Sequence, residues 1–248
     1  MADDPFPSRV SRARLYEQVA AQITGWIRDQ GLVPGDRLPA ERELAQRLGV
    51  SRATLSQALV ALEVIGAVEG RHGDGTLVTD RGARGLGAPG GEQDPAADDD
   101  AVARAIREHA DRLPDVIDAR DALENKLAAL AASRRTEEDL ERIDRALDLM
   151  QADVERGGRG VDGDEAFHGA VTAAAHSPVL ASMMATISEL ITETRIESLS
   201  QPGRPHESLA GHRRIADAVR RRDPLAAATA MHDHIALVSD VALLRATR

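Results

Sequence analysis

Leu38-Pro-Ala-Glu-Arg-Glu-Leu-Ala-Gln-Arg-Leu-Gly-Val-Ser-Arg-Ala-Thr-Leu-Ser-Gln-Ala-Leu59 is the stretch from which the fold is read. Glu41 to Leu48 places Leu44, Ala45 and Leu48 on one helical face, with Pro39 just before it. Gly49 ends that helix, Val50 follows, and Ser51 caps the next one, which buries Leu55, Leu59, Leu62 and Ile65 and stops at Gly66. A Gly between two apolar residues lets two helices meet steeply, which is the helix-turn-helix signature. Ser51, Arg52 and Thr54 then present two hydroxyls and a guanidinium at the start of the second helix. Those groups hydrogen-bond phosphates and base edges, and in this motif the second helix enters the major groove.

Working outward, Leu15, Val19, Ile23, Trp26 and Ile27 form the apolar face of a preceding helix that ends near Gln30-Gly31. On the other side, Ala67 to Glu69 and Thr76 to Thr79 are two short extended pieces joined by the tip Arg71-His72-Gly73-Asp74-Gly75. Helix, short helix, turn, helix and hairpin make a winged helix-turn-helix over residues 9–79. Residues 80–98, rich in Gly, Pro, Ala and Asp, read as a flexible linker.

Residues 99–248 read as an antiparallel all-α bundle, so the fold class is mostly α. Helices are expected at Asp99–Arg112, Pro114–Ser133, Glu137–Glu155, Asp162–Ala175, Val179–Ser200, Pro205–Arg222 and Pro224–Leu244. Pro114 and Pro224 sit in first-turn positions, where a missing N–H is tolerated. The whole chain has 248 residues, 2% aromatics, no Cys and a formal net charge of −10. The core is therefore aliphatic, and disulfides, thiolate metal sites and a cysteine nucleophile are excluded. The acid excess lies outside the N-terminal third, which carries nine Arg against eight acids from Ser8 to Thr79, so a local basic face remains available to DNA. With no apolar run long enough to span a bilayer and no secretory leader, the expected location is cytoplasmic, with no membrane partner.

In the bundle, Asp164 and His168 lie four apart on one face of a helix, and His212 and His234 stand on the last two helices. One carboxylate and three neutral imidazoles suit a divalent transition metal such as Zn, Ni, Co or Mn. The ordinary reading is a helical ion pair plus packed histidines, the reading applied to His72, His109, His176, His206 and His232. Arg120 and Glu124, also four apart, form either a plain helical salt bridge or an inward pair whose guanidinium holds an anion, with Arg195 as a second candidate.

The stretch from Leu38 to Leu59, with Leu15-Tyr-Glu-Gln-Val19 before it and Gly66 to Val78 after it, resembles the DNA-binding core of GntR-family bacterial transcription regulators. Arg120-x-x-Leu-Glu124, Asp164-x-x-Phe-His168, His212-x-x-Ile215 and His234-Ile235 resemble, in order, the ligand domain of the FadR-type subfamily. The resemblance implies that Arg42, Arg52 and Thr54 contact DNA. It also implies that Ser51 caps and contacts phosphate, and that His72 and Gly73 form a wing tip in the minor groove. It implies further that Asp164, His168, His212 and His234 bind the metal beside a pocket for a small carboxylate. Three departures stand out. Ser56 replaces an Arg of the family pattern, which alters one base or phosphate contact. Asp74 makes the wing tip acidic, which weakens DNA binding or shifts it onto Arg71 and His72. His176-Ser177 also replaces an Asn-containing pattern, which leaves the effector's identity open.

The expected protein is a homodimeric regulator on a palindromic double-stranded operator, a repressor by family tendency, released when a carboxylate bridges the metal and Arg120, with Arg195 as the second candidate contact. The alternatives are a structural or absent metal with a larger effector such as an acyl-CoA, the metal itself as the signal, and a metal-dependent hydrolase. The last lacks any further placed acid, base or nucleophile, and the chain is read as a non-enzyme.

Overall fold

The computed structural model describes residues 13–71, 73–85 and 95–238. These contain α1 (Ala13–Asp29), α2 (Glu41–Leu48), α3 (Arg52–Val64), β1 (Val68–Arg71), β2 (Gly75–Val78) and α4 (Asp80–Arg84). They continue with α5 (Pro95–Arg134), α6 (Glu137–Glu155), α7 (Val161–Ala174), α8 (Pro178–Thr186), α9 (Ser188–Leu199), α10 (Arg204–Arg220) and α11 (Pro224–Val238). The chain divides into two compact units, residues 1–107 and 108–248. None of the described helices is long and apolar enough to cross a membrane.

In the first unit, Val19, Ala20, Ile23 and Ile27 of α1 join Leu55, Leu59 and Leu62 of α3 in the core. Tyr16 is buried where Leu15 was expected, and Leu15 is exposed. Gly49 adopts φ 65°, a left-handed conformation that ends α2 and that an L side chain would resist. The Ser51 side chain accepts a hydrogen bond from the Thr54 N–H at 3.1 Å and so opens α3. β1 and β2 pair antiparallel in the register Val68↔Val78 to Arg71↔Gly75. Arg37 adds an isolated bridge to Leu77.

The expected linker does not begin at Asp80. Thr79 caps α4 by accepting from the Gly82 N–H at 3.1 Å, and Gly82 is buried close to the Ala67 carbonyl. At the far end of that stretch, α5 already runs from Pro95, and the residues between, 86–94, lie outside those described.

The second unit is helical throughout its described residues. Its core is an aliphatic cluster of Ile117, Ala128, Ala131, Ile143, Val171, Ile215, Val219 and Ile235 around Phe167. Two expectations need correction. Asp99–Arg112 and Pro114–Ser133 are not separate helices: α5 runs unbroken with Pro114 inside it. An internal Pro costs about 3 kcal/mol, but Leu113, Val116 and Ile117 beside it are all buried, and that burial outweighs the lost hydrogen bond. Conversely, Val179–Ser200 is not one helix. Ile187 breaks it into α8 and α9. There Thr186 Oγ donates to the Ser182 carbonyl and Ser188 Oγ to the Ala185 carbonyl, both at 3.0 Å, and such hydroxyls compete with the helical ladder. The part of α11 expected beyond Val238 lies outside the described residues.

The turn into α6 is a reciprocal capping box. Thr136 Oγ1 accepts from the Asp139 N–H, and Asp139 accepts from the Thr136 N–H at 2.8 Å. Burial alone would raise the Asp139 carboxyl, but these bonds, with those from His176 and Arg142, lower it to about 2. Its folded value is below its unfolded one, so this stability is present above about pH 4 and is lost as pH falls toward 2. Asp139→Ala is expected to cost about 1–2 kcal/mol, read as a lower Tm at pH 7. The difference from wild type should shrink on acidification; a gap constant from pH 7 to pH 2 would show that the carboxylate is not what stabilises the cap.

Candidate metal centre and nucleic-acid interface

Each histidine of the centre comes from a different helix. His168 (α7), His212 (α10) and His234 (α11) are all buried, with His212 fully enclosed. Phe167 stacks on the His212 ring at 4.1 Å between centroids and fixes its plane. Gly211 makes room for His234, since a Cβ there would lie 2.9 Å from His234 Nδ1.

The three Nε2 atoms form a nearly equilateral triangle. His168 to His234 is 3.2 Å, His212 to His234 is 3.2 Å, and His212 to His168 is 3.3 Å. Asp164 closes the group, with Oδ1 3.4 Å from His212 Nε2 and Oδ2 3.9 Å from His168 Nε2. Three ring nitrogens in a triangle cannot all alternate as donor and acceptor, so at least two present the same group, lone pair or N–H, to each other. A shared cation removes that conflict. Ligands about 2.0–2.1 Å from a Zn-like ion lie about 3.0–3.4 Å apart, so the triangle fits such an ion. Burial pushes His212 well below its ordinary value and His234 down to about 3, with the neighbouring imidazoles adding to both. His212 and His234 are therefore neutral near pH 7, the form that ligates.

A second layer of charge surrounds the cluster. Glu124 lies against His168 Nδ1 and takes a bond from Arg120 Nε at 2.7 Å. A carboxylate on Nδ1 holds that proton in place and leaves Nε2 to face the cluster. Burial would raise the Glu124 carboxyl, but Arg120 and His168 outweigh it and hold it well below the usual range. Asp164 behaves likewise, with His212, His168 and Arg195 overcoming burial. Arg195 Nε donates to Asp164 Oδ2 at 2.5 Å, and Ser208 Oγ to Asp164 Oδ1 at 3.1 Å. So Arg120 combines both of its sequence readings: it is an i,i+4 ion pair and it points inward. Arg195 is buried, not a surface residue.

Beside the cluster is a cleft lined by Arg120, Asp164, Arg195, Arg204, Ser208 and His234. Its unfilled space is about 290 Å³, part of it open to solvent. Arg204 escaped the sequence reading. Its only signal there was position, four residues before Ser208 and eight before His212 on α10.

In the first unit, Arg42, Ser51 and Arg52 are exposed, and Thr54 and Ser56 are half-buried. Thr54 Oγ1 is 2.8 Å from Ser51 Oγ, so both hydroxyls belong to the cap of α3. At the wing, Arg71 is bonded to Glu69 at 2.9 and 3.2 Å, and Asp74 is paired with Arg37 at 2.9 Å. Arg37 thus offsets the acidic tip expected from Asp74. Gly73 is exposed with φ 82°; His72 lies outside the described residues.

Three other histidines are paired elsewhere. His109 is buried between Glu193 and Glu197, at 2.9 and 3.2 Å. His176 meets Asp139 and His232 meets Asp121, each at 2.7 Å.

If Glu124 orients His168, Glu124→Gln should lower divalent-metal affinity by about 10–100-fold, measured by competition with a chromophoric chelator. Unchanged affinity would show that another group sets the ring.

Residues 15–78 match the family described as bacterial regulatory proteins of the gntR family, and residues 115–237 match the FCD domain. The uncharacterised HTH-type regulator YcbG of Bacillus subtilis is 31% identical over 93% of this chain and 91% of its own length. LutR of the same organism, an HTH-type transcriptional regulator, is 31% identical over 87% and 95%. The Uxu operon transcriptional regulator of Escherichia coli is 30% identical over 92% and 86%.

Proposed function

The chain belongs to the GntR family of bacterial regulatory proteins and is a DNA-binding transcription regulator, not an enzyme, and we propose that a small carboxylate bound beside a divalent metal in its FCD domain sets its affinity for a palindromic operator. The observation that carries this reading is the convergence of three Nε2 atoms and Asp164 beneath the guanidinium groups of Arg120 and Arg195. Asp164, His168, His212 and His234 would hold the metal, with zinc or nickel favoured by three imidazoles, and manganese or cobalt as further options. When bound, the metal supplies a Lewis-acidic position for an effector oxygen.

The chain's own residues do the rest. Neutral His212 and His234 present lone pairs, Glu124 fixes His168, and Ser208 orients Asp164. Arg195 bonds Asp164 and lines the cleft, so an anion entering there competes with Asp164 for that guanidinium. Arg120 keeps a donor on Thr194 at 3.0 Å beside its bond to Glu124. The cleft offers at most about 290 Å³, solvent-open space included, which is below the usual range for ligand sites; it favours a small acid over an acyl-CoA. Arg120 and Glu124 ride on α5, which runs unbroken from Pro95 to Arg134, and effector binding is proposed to act through this helix. Lowered operator affinity on effector binding is the response of a repressor.

On DNA, exposed Arg42 and Arg52 are the proposed contacts, with Ser51 and Thr54 fixing the start of α3 and Ser56, Arg71, His72 and Gly73 completing the surface. One recognition helix makes few base contacts, so a two-fold dimer on a two-fold site is the economical arrangement. Support for a homodimer comes from α8, which is apolar yet buries no residue, with Val179 72% and Met183 48% exposed. A second copy would cover it.

The test is operator binding by anisotropy on chelator-stripped protein, with zinc or nickel restored and small carboxylates added. A carboxylate should shift affinity in the metal-loaded wild type and not in His212→Ala. If the shift is the same in both, the metal reading fails. Arg52→Ala should weaken operator binding by about 1–3 kcal/mol at fixed salt, whereas an unaltered Kd would remove Arg52 from the interface. Met183→Glu should move the sedimentation profile toward monomer, and a wild-type dimer fraction would place the interface elsewhere.

A further inference from the structure

Arg204 sits at the first turn of α10, is only 9% exposed, and lines the same cleft. The two other guanidinium groups of the cleft have buried counter-charges, Glu124 for Arg120 and Asp164 for Arg195. Arg204 has none. Among the described residues its one ion-pair partner is Glu207, a loose 3.4 Å contact to a side chain that is itself 59% exposed. A guanidinium carries five N–H donors and cannot shed its charge. Taking it out of water without matching acceptors is unfavourable, so the position makes sense when an anion completes it.

Its placement says which kind of anion. Arg204, Ser208 and His212 are spaced at four residues along one face of α10, so they share that face. Arg204 is eight residues from His212, about 12 Å along the axis. A single carboxylate held at the histidine end, by Arg120 or Arg195, leaves Arg204 unmatched. A second carboxylate a few carbons away would meet it.

Resting on the carboxylate reading above, we propose that the effector is a short dicarboxylate. One carboxylate is held at the histidine end of the cleft, and the other is held by Arg204. Arg204 is then the residue that separates dianions from monoanions. Leu199 and Leu237, which also line the cleft, are suited to the methylene groups between the two charges.

The experiment is calorimetric titration of the full chain, with and without added zinc, using malonate, succinate and glutarate against propionate and butyrate. Wild type should bind its best dicarboxylate at least tenfold more tightly than the monocarboxylate of matched length. Arg204→Gln should erase that ratio by weakening the dicarboxylate alone, and Arg204→Lys should restore part of it. Equal binding of both classes by wild type overturns the dicarboxylate assignment while leaving the carboxylate reading intact. Binding of neither class overturns both. Loss of both classes together in Arg204→Gln, with an unchanged Tm, would make Arg204 a general anion contact and also overturn the assignment. The wild-type ratio decides the matter even if a variant does not fold.

Discussion

Three imidazoles and a carboxylate are packed into a helical core that otherwise contains mostly Ala, Leu, Ile and Val. Nothing apolar satisfies such a group, and three nitrogens about 3.2 Å apart do not satisfy one another. The surrounding structure answers this constraint. His168, His212 and His234 come from three helices, and each is held by a different device: a carboxylate on Nδ1, a stacked Phe167, and the missing side chain of Gly211. A site held this tightly is preorganised, so little ordering entropy remains to be lost when a ligand arrives.

The charges around it are layered. Glu124 and Asp164 each face a histidine on one side and an arginine on the other. Removing any one member would leave a buried charge without its partner, which is far more costly than the pair is stabilising. Asp164 is the exchangeable element of this arrangement. It serves the histidine cluster through Oδ1 and Arg195 through Oδ2. An anion that takes Arg195 therefore alters the field at the histidines, and a cation at the histidines weakens the hold of Asp164 on Arg195. By linkage the two effects are equal in free energy.

Local chemistry was legible in the sequence; tertiary compensation was not. Ser51, Gly49 and the apolar spacing of α2 and α3 specify the helix-turn-helix, because caps and faces act within a few residues. The capped span of α6 from Glu137 to Glu155 was legible for the same reason. Asp164 and His168 could be placed on one face from spacing alone, but their meeting with His212 and His234 required the resemblance, since no local rule joins three helices. Pro114 misled because the burial of Leu113, Val116 and Ile117 is decided by distant partners. Ile187 misled in the opposite sense, since no Gly or Pro marks the break there, only Thr and Ser hydroxyls bonded to nearby carbonyls. Arg204 and the carboxylates around His109 carried no motif at all.

Two routes lead from the histidine cluster to α5. One is direct, through His168 and Glu124 to Arg120. The other passes through α9, a helix of 12 residues that begins at the Ile187 break. Its Arg195 faces Asp164, its Thr194 accepts from Arg120, and its Glu193 and Glu197 grip His109. His109 and Arg120 are eleven residues apart on α5, so α9 holds α5 at two points about three turns apart. With carboxylates on both ring nitrogens, His109 donates from each only as an imidazolium; these bonds outweigh its burial and raise its pKa. The grip at His109 is therefore strongest when the ring is protonated. α5 is continuous through Pro114, so no joint between two helices separates the two points.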